Sequence, residues 1–289
     1  MADNSVISRT VDTLRSMVPL RFRAGLPVVP VVRLSGVIGL STPLRPGLTL
    51  GSSARSLERA FSMRRASAVA LVINSPGGSA VQSHLIHRRI RDLAAEKKLP
   101  VIAFVEDVAA SGGYMIACAA DEIVADVSSL VGSIGVVGGS FGFHGLLEKL
   151  GIERRLYTSG DRKAMLDAFL PEKPEDVERL KAIQREIHAM FIALVKERRG
   201  AKLSGPESDL FSGEFWTGSR AFELGVVDRL GDMRSFLRAR FGDKVVTPLI
   251  AAERGLFGRR VPGLGGETSL AEDLVSTLEA RALWSRFGF

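Results

Sequence analysis

Two short turns in this chain combine a glycine pair with polar side chains in a way that suits attack on a carbonyl group: Asn74-Ser75-Pro76-Gly77-Gly78 and Ala109-Ala110-Ser111-Gly112-Gly113. Each comes after an apolar run, residues 68–73 and 100–105, of the kind that forms a strand buried on both faces. Ligands of parallel α/β sheets bind at the carboxyl ends of the strands, where such turns lie. A serine at the start of a helix there presents its hydroxyl to the crevice, and the amide of the next residue, Gly112, points into the same space. A second amide, from Gly78, completes a pair of donors for a developing oxyanion, each worth about 3–4 kcal/mol in related chemistry. Glycine suits both positions because substrate has to come close to the backbone.

A serine hydroxyl is a poor nucleophile at neutral pH and needs a base. The four histidines, His84, His87, His144 and His188, all fall outside the strand-end turns. His84 and His87 sit among arginines on one helix and read as solvated or packed residues. Asp107 and Asp167 read as turn and surface residues, so a Ser-His-Asp triad is poorly supported. Lys163 offers another base, because serine–lysine dyads obey the same logic. It lies in Thr158-Ser159-Gly160-Asp161-Arg162-Lys163-Ala164-Met165, where a loop can carry it into the crevice, and burial beside Ala164 and Met165 would favour the free amine. By residue type alone, a lysine in a charged loop is more often a solvated surface residue, and composition does not decide between the two.

The elements that must hold these residues read as alternating strands and helices. Residues 28–40 are β-branched and extended, and residues 52–64 are helical. Residues 79–97 repeat Val81, Leu85, Ile86, Ile90 and Leu93 at helical spacing, between the strands at 68–73 and 100–105. Strand, helix, strand in that order gives a right-handed crossover and a parallel sheet. A helix at 111–119, a strand at 122–125, a helix at 144–150, a strand at 152–158 and a long helix from Pro174 to Arg199, ended by Gly200, continue the pattern. Residues 217–224 and a strand at Val226-Val227 close the compact part. The fold class is α/β, with a basic N-terminal segment at 1–26, a catalytic domain at 27–250, and a linker with a last helix at 251–289.

Composition narrows the function classes. The chain has 289 residues, 46% hydrophobic and 25% charged, enough to bury a substantial core. A net charge of +7 would suit an anionic partner, but the arginines are scattered and no nucleic-acid motif accompanies them, so no nucleic-acid partner is expected. Cys118 is the single cysteine, which excludes an intrachain disulfide. No apolar stretch reaches the length of about 18 residues of a membrane span, and Arg15, Arg21 and Arg23 interrupt any signal-peptide core. Residues 12–23 fit a basic amphipathic segment lying on a membrane surface, and equally a tail or a helix packed on a partner subunit. A cytoplasmic or peripherally membrane-associated protein is expected.

The runs Ile73-Asn-Ser-Pro-Gly-Gly78, Ala110-Ser-Gly-Gly-Tyr114, Ala119-Ala-Asp121-Glu-Ile, Gly132-Ser-Ile-Gly-Val136, Phe215-Trp-Thr-Gly218 and Leu224-Gly-Val-Val-Asp228, in this order over about residues 27–241, resemble the signal peptide peptidase A family, family forty-nine of the serine peptidases. The resemblance implies a Clp-protease or crotonase-like spiral of β-β-α units and a serine endopeptidase that uses no cofactor or metal. Matched motif to motif, it puts Ser111 in the nucleophile's place, Lys163, 52 residues later, in the base's, Gly78 and Gly112 at the oxyanion hole, and Ser133 where a serine orients the lysine. It further implies peptide substrates, cleaved signal peptides among them, and a homo-oligomeric ring in which one subunit's serine meets the next subunit's lysine. Two departures stand out: the N-terminal membrane anchor of many relatives is not detected, and Arg162 adjoins the lysine. An acyl-CoA enzyme of the crotonase kind is the competing enzymatic reading, since it too holds an oxyanion with two amides but needs no serine–lysine pair. A catalytically silent scaffold is the third.

Overall fold

The computed structural model describes residues 26–39, 47–160, 162–251 and 270–289. The expected α/β architecture is present. Strands β1 (Val31–Ser35), β2 (Val69–Ser75), β3 (Val101–Ala110) and β4 (Glu122–Ala125) lie side by side in parallel. Helix α1 (Leu50–Phe61) connects β1 to β2, and α2 (Ala80–Lys97) connects β2 to β3. The apolar run in β2 is continuous because both faces are covered. Leu71 and Ile73 join α1 and α2 through Leu57, Ile86 and Ile90, while Ala70 and Val72 face a second cluster with Val31, Ile102, Phe104 and Leu237. Ser79 caps α2 by accepting from the Gln82 amide, as a serine at that position should.

After β3 come the six-residue helix α3 (Gly112–Ala117), β4, and the short strand β5 (Leu130–Gly132). Helix α4 (His144–Lys149) and the long α5 (Pro174–Arg199) come next, then α6 (Glu207–Leu210), β6 (Phe215–Thr217), α7 (Gly218–Glu223), β7 (Arg229–Leu230), α8 (Met233–Phe241) and α9 (Leu270–Ser285). Strand β5 pairs with the far end of β3 and, antiparallel, with β6; β7 pairs with β4. The α5 limits are set by Pro174 in its first turn and Gly200 at φ 49° after its end. Near the carboxyl end of the chain, Phe287 packs with Val108 and Ala110 and meets Phe215 edge-on at 4.9 Å between ring centres.

Two sequence expectations are corrected. Residues 152–158 are not a strand; Ile152, Leu156 and Tyr157 are exposed and pair with no strand among the described residues. Val226 and Val227 are buried in a turn, and the strand on β4 is the adjoining Arg229–Leu230. The extended reading of residues 28–40 holds for those described: Val31–Ser35 form the strand, and Val28 and Ile38 make isolated parallel bridges on either side of it. The readings made for residues 1–25 and 252–269, the basic segment and the linker, lie outside the described residues.

The end of α5 is tied to the sheet by Arg199, which is 3% exposed. Its guanidinium donates to both carboxylate oxygens of Asp228, at 2.7 and 3.1 Å, and to the Gly225 carbonyl. Burial pushes the Asp228 carboxyl up, but hydrogen bonds from Arg199, Lys202 and the Ile123 amide outweigh it and hold the group below the usual carboxylate range. A depressed folded-state value means that this contribution is present above the unfolded carboxylate value and is lost as pH falls through the folded one. Asp228→Ala strands the guanidinium in the interior and is expected to lower the unfolding free energy by about 3 kcal/mol, measured by urea denaturation at neutral pH. A loss below about 1 kcal/mol, the range of surface pairs, would count against this role.

Candidate active site

Ser111 sits where β3 ends and α3 begins, at φ 53° and ψ −121°. A non-glycine residue at positive φ is strained, and such strain persists only when the surroundings enforce it. They do so here. The Ser111 amide donates to the Gly132 carbonyl at 2.8 Å, and the Ser111 carbonyl accepts from the Met115 amide. Its hydroxyl makes no helix-capping bond and the residue is half-buried. The helix behind it is anchored by Tyr114, a fully buried residue whose hydroxyl donates to the Val226 carbonyl at 2.8 Å.

The turn after β2 packs directly on this serine. A Cβ at Gly77 would stand 2.8 Å from the Ser111 Cβ and 2.9 Å from the Ala110 carbonyl oxygen. Gly78 is next, at φ 137°, and a Cβ there would collide with the Ile38 carbonyl. Ile38 bonds both neighbours of Gly78: its amide donates to the Gly77 carbonyl and its carbonyl accepts from the Ser79 amide, each at 2.8 Å. In a parallel bridge this leaves the amide of Gly78 facing away from Ile38, at an exposed position. Gly112 is the first residue of α3, where the amide has no intrahelical acceptor. Ser75 stiffens the turn from below, donating to the Gly36 carbonyl at 2.7 Å and accepting from the Gly77 amide at 3.2 Å.

Ser133 is beside Ser111. The β3–β5 register pairs Ala110 with Gly132, so the next residue on each strand is a serine. Ser133 is 5% exposed, at φ 52°, with its amide donating to the Glu214 carbonyl. Two strained serines therefore end adjacent strands.

Lys163 is not brought to them. It lies in a turn, exposed, with its amide donating to Gly160 and no hydrogen bond from its side chain to Ser111 or Ser133. The expected burial beside Ala164 and Met165 is corrected, since both are only half-buried. The reason extends beyond the turn: among the described residues from 135 to 190, not one is buried.

No histidine among the described residues bonds Ser111. His188 Nε2 lies 3.1 Å from the Ile134 carbonyl, and His144 faces Glu148 across one helical turn. His87 is packed within α2; burial, with Arg198, His84 and Arg91 adding to it, lowers its pKa to about 4 and keeps the ring neutral. Asp107 accepts from Asn74 and Asp167 from Arg154. Sequence reasoning named neither Gly77 as the residue against Ser111 nor Ser75 as the support of the turn. The glycine pair was the available signal for the first; nothing local pointed to the second.

Comparison with known proteins gives a consistent picture. The model of the family described as peptidase family S49 matches residues 94–241. The Na(+)/H(+) antiporter NhaA of Brucella abortus is 57% identical over 286 residues, which is 95% of this chain and 39% of that protein. The chloroplastic serine protease SPPA of Arabidopsis thaliana is 34% identical over 220 residues, 74% of this chain and 32% of that protein. Protease 4 of Haemophilus influenzae is 37% identical over 184 residues, 62% of this chain and 28% of that protein. The chain thus spans two fifths or less of the length of these relatives.

Proposed function

This chain belongs to peptidase family S49, and from that premise we propose that it is a serine endopeptidase that cleaves peptides through an acyl-enzyme on Ser111. The observation that carries the reading is a strained serine at a helix start with the Gly77-Gly78 turn packed against it; in the proposed site the amides of Gly78 and Gly112 serve as the oxyanion donors. In the proposed reaction the Ser111 hydroxyl attacks the scissile carbonyl while its proton passes to the Lys163 amine. The carbonyl oxygen becomes an oxyanion held by the two amides. The lysine then gives the proton to the leaving amine, and water, deprotonated by the same lysine, releases the acyl group. Ser133, beside Ser111, would orient the lysine once it is brought in.

Lys163 is exposed in its own chain, so the reading requires a second subunit to bring it in. The segment that carries it supports this, because it exposes Val137, Phe141, Leu146, Leu150, Ile152 and Tyr157, far more apolar surface than scattered surface residues explain. We therefore read the working form as a ring with a repeated head-to-tail contact. An extended peptide would bind by adding a strand beside Gly78. The antiporter name stays with the larger Brucella proteins: no helix among the described residues is long and apolar enough to cross a membrane.

The test is covalent labelling with a fluorophosphonate, read by intact mass and peptide mapping. One adduct per chain, on the peptide carrying Ser111, is expected, with labelling slowed about 100-fold in Ser133→Ala, the low end of a general-base contribution. Labelling elsewhere, or none in a sample that hydrolyses peptides, would overturn the assignment, and turnover of an acyl-CoA thioester without any adduct would favour the crotonase reading.

A further inference from the structure

Strand β3 does not run straight to Ser111. It pairs with β2 in step from Val69↔Val101 to Ile73↔Val105, and the pairing resumes at Ser75↔Ala109. Over that interval β2 advances two residues and β3 advances four, so β3 carries two extra residues in a bulge around Glu106 and Asp107. At the same place β3 changes partners, from β4 up to Val105 to β5 from Val108. Bulges bend a strand and re-aim the residues beyond them; beyond this bulge the strand ends at Ser111.

The bulge is held from three sides. Ser129, 2% exposed, donates to the Glu106 carbonyl at 2.6 Å. Arg33 grips the Glu106 carboxylate with two hydrogen bonds, at 2.9 and 2.5 Å. Asn74, the β2 residue opposite the bulge, spans it: Nδ2 donates to Asp107 Oδ2 at 2.6 Å and Oδ1 accepts from the Val108 amide at 3.3 Å. A carboxylate on one side and an amide N–H on the other fix which way the Asn74 side chain faces. Asn74 also begins the turn that ends in Gly78. One side chain therefore links the strand that presents the Gly78 amide to the strand that presents Ser111.

We propose that Asn74 is a positioning residue of the peptidase, setting the separation between the Gly78 amide and Ser111 by clamping the β3 bulge; this rests on the roles given to those two residues above. Aspartate keeps the shape but has no donor for Asp107, and places two carboxylates in contact. The experiment compares Asn74→Asp, Asp107→Asn and the exchanged pair carrying both changes. Asn74→Asp is expected to lower kcat about 100-fold with KM within about twofold, the scale of a displacement of about 1 Å at a reacting centre. Asp107→Asn keeps an acceptor for the Asn74 donor and should stay within about threefold of the unaltered enzyme, the scale of a single neutral hydrogen bond at a solvent-accessible position. In the exchanged pair the carboxylate at 74 accepts from both the Val108 amide and the new amide at 107, so about tenfold or more of the lost kcat should return, a coupling that independent sites do not show. An exchanged pair no more active than Asn74→Asp alone, or a loss of kcat matched by a loss of folded protein in thermal melts, would overturn the proposal. Ser111→Ala run in parallel separates the two levels: activity that survives it removes the nucleophile assignment, whereas Ser111-dependent activity indifferent to Asn74→Asp removes only the positioning role.

Discussion

Peptide hydrolysis by Ser111→Ala protein is expected to fall by about 10⁴-fold or more, the cost of removing a nucleophile that works together with its base, while the thermal melting temperature stays within about 2 °C, as for a substitution that removes no packed volume. The two halves of this expectation come from different observations. Activity should vanish because the oxyanion donors have nothing to stabilise without an attacking oxygen. Stability should hold because the Ser111 hydroxyl makes no capping bond, the residue is half-buried, and alanine meets the same φ of 53° that serine already tolerates. The structural work at this position is done by the backbone, through the bonds to Gly132 and Met115, which alanine keeps. Measured by turnover of a fluorogenic peptide and by calorimetry on the same sample, retained turnover would remove Ser111 from the mechanism. Lost turnover with a collapsed melting transition would instead assign it to the fold.

Gly78→Ala is the converse case. A Cβ there meets the Ile38 carbonyl, and the φ of 137° is foreign to alanine, so both activity and local structure should suffer. Comparing the two variants separates a chemical loss from a geometric one.

How far the sequence was legible depends on the information apolarity carries. Residues 68–73 read as a buried strand because both faces of β2 are covered, and the covering helix read at 79–97 shows itself through Ile86, Ile90 and Leu93. The long helix from Pro174 to Gly200 carries its own start and stop signals. By contrast β5 and β6 have three residues each, too few for a period; β5 pairs with β3 beyond the bulge at Glu106 and Asp107, and β6 pairs with β5. Those two charged residues interrupt an otherwise apolar strand, which read locally as its end rather than as a bulge within it. Residues 152–158 misled in the opposite direction. Ile152, Leu156 and Tyr157 are apolar and looked like a strand, yet they have no sheet neighbour among the described residues. Apolarity favours burial without fixing whether a strand, a helix or nothing covers the segment.

The site divides along the same line. Ser111, Gly78 and Gly112 could be brought together from strand-end turns alone, since parallel strands deliver their carboxyl ends to one edge. Ser133 could not, because the β3–β5 register that sets it beside Ser111 joins segments more than twenty residues apart, and family resemblance was its only signal. Lys163 was given a buried place that the single chain does not provide. Its surroundings from 135 to 190 contain no buried residue among those described, so Lys163 lies on the same exposed surface as the apolar side chains around it.

That surface yields the second large expected effect. Neither Ser111→Ala nor Lys163→Ala chains should hydrolyse peptides alone, and Lys163→Arg should be as inactive as Lys163→Ala because a guanidinium stays protonated and cannot accept the serine proton. The two inactive chains, unfolded together in equal amounts and refolded, should regain activity if each site is built between neighbours. A chain carrying Lys163→Ala has an intact serine, and a chain carrying Ser111→Ala has an intact lysine. With random placement around a ring of one repeated head-to-tail contact, about a quarter of the contacts pair the intact serine with the intact lysine in the productive direction. Recovery of about a quarter of the unaltered activity would therefore place Lys163 of one subunit at Ser111 of the next, and it should scale with the product of the two chain fractions as the mixing ratio is varied. If each site were complete within one chain, no arrangement of these variants could restore it. Rings shown by native mass to contain both chains, yet inactive at every ratio, would exclude the shared site and return the exposed segment at 135–190 to some other partner.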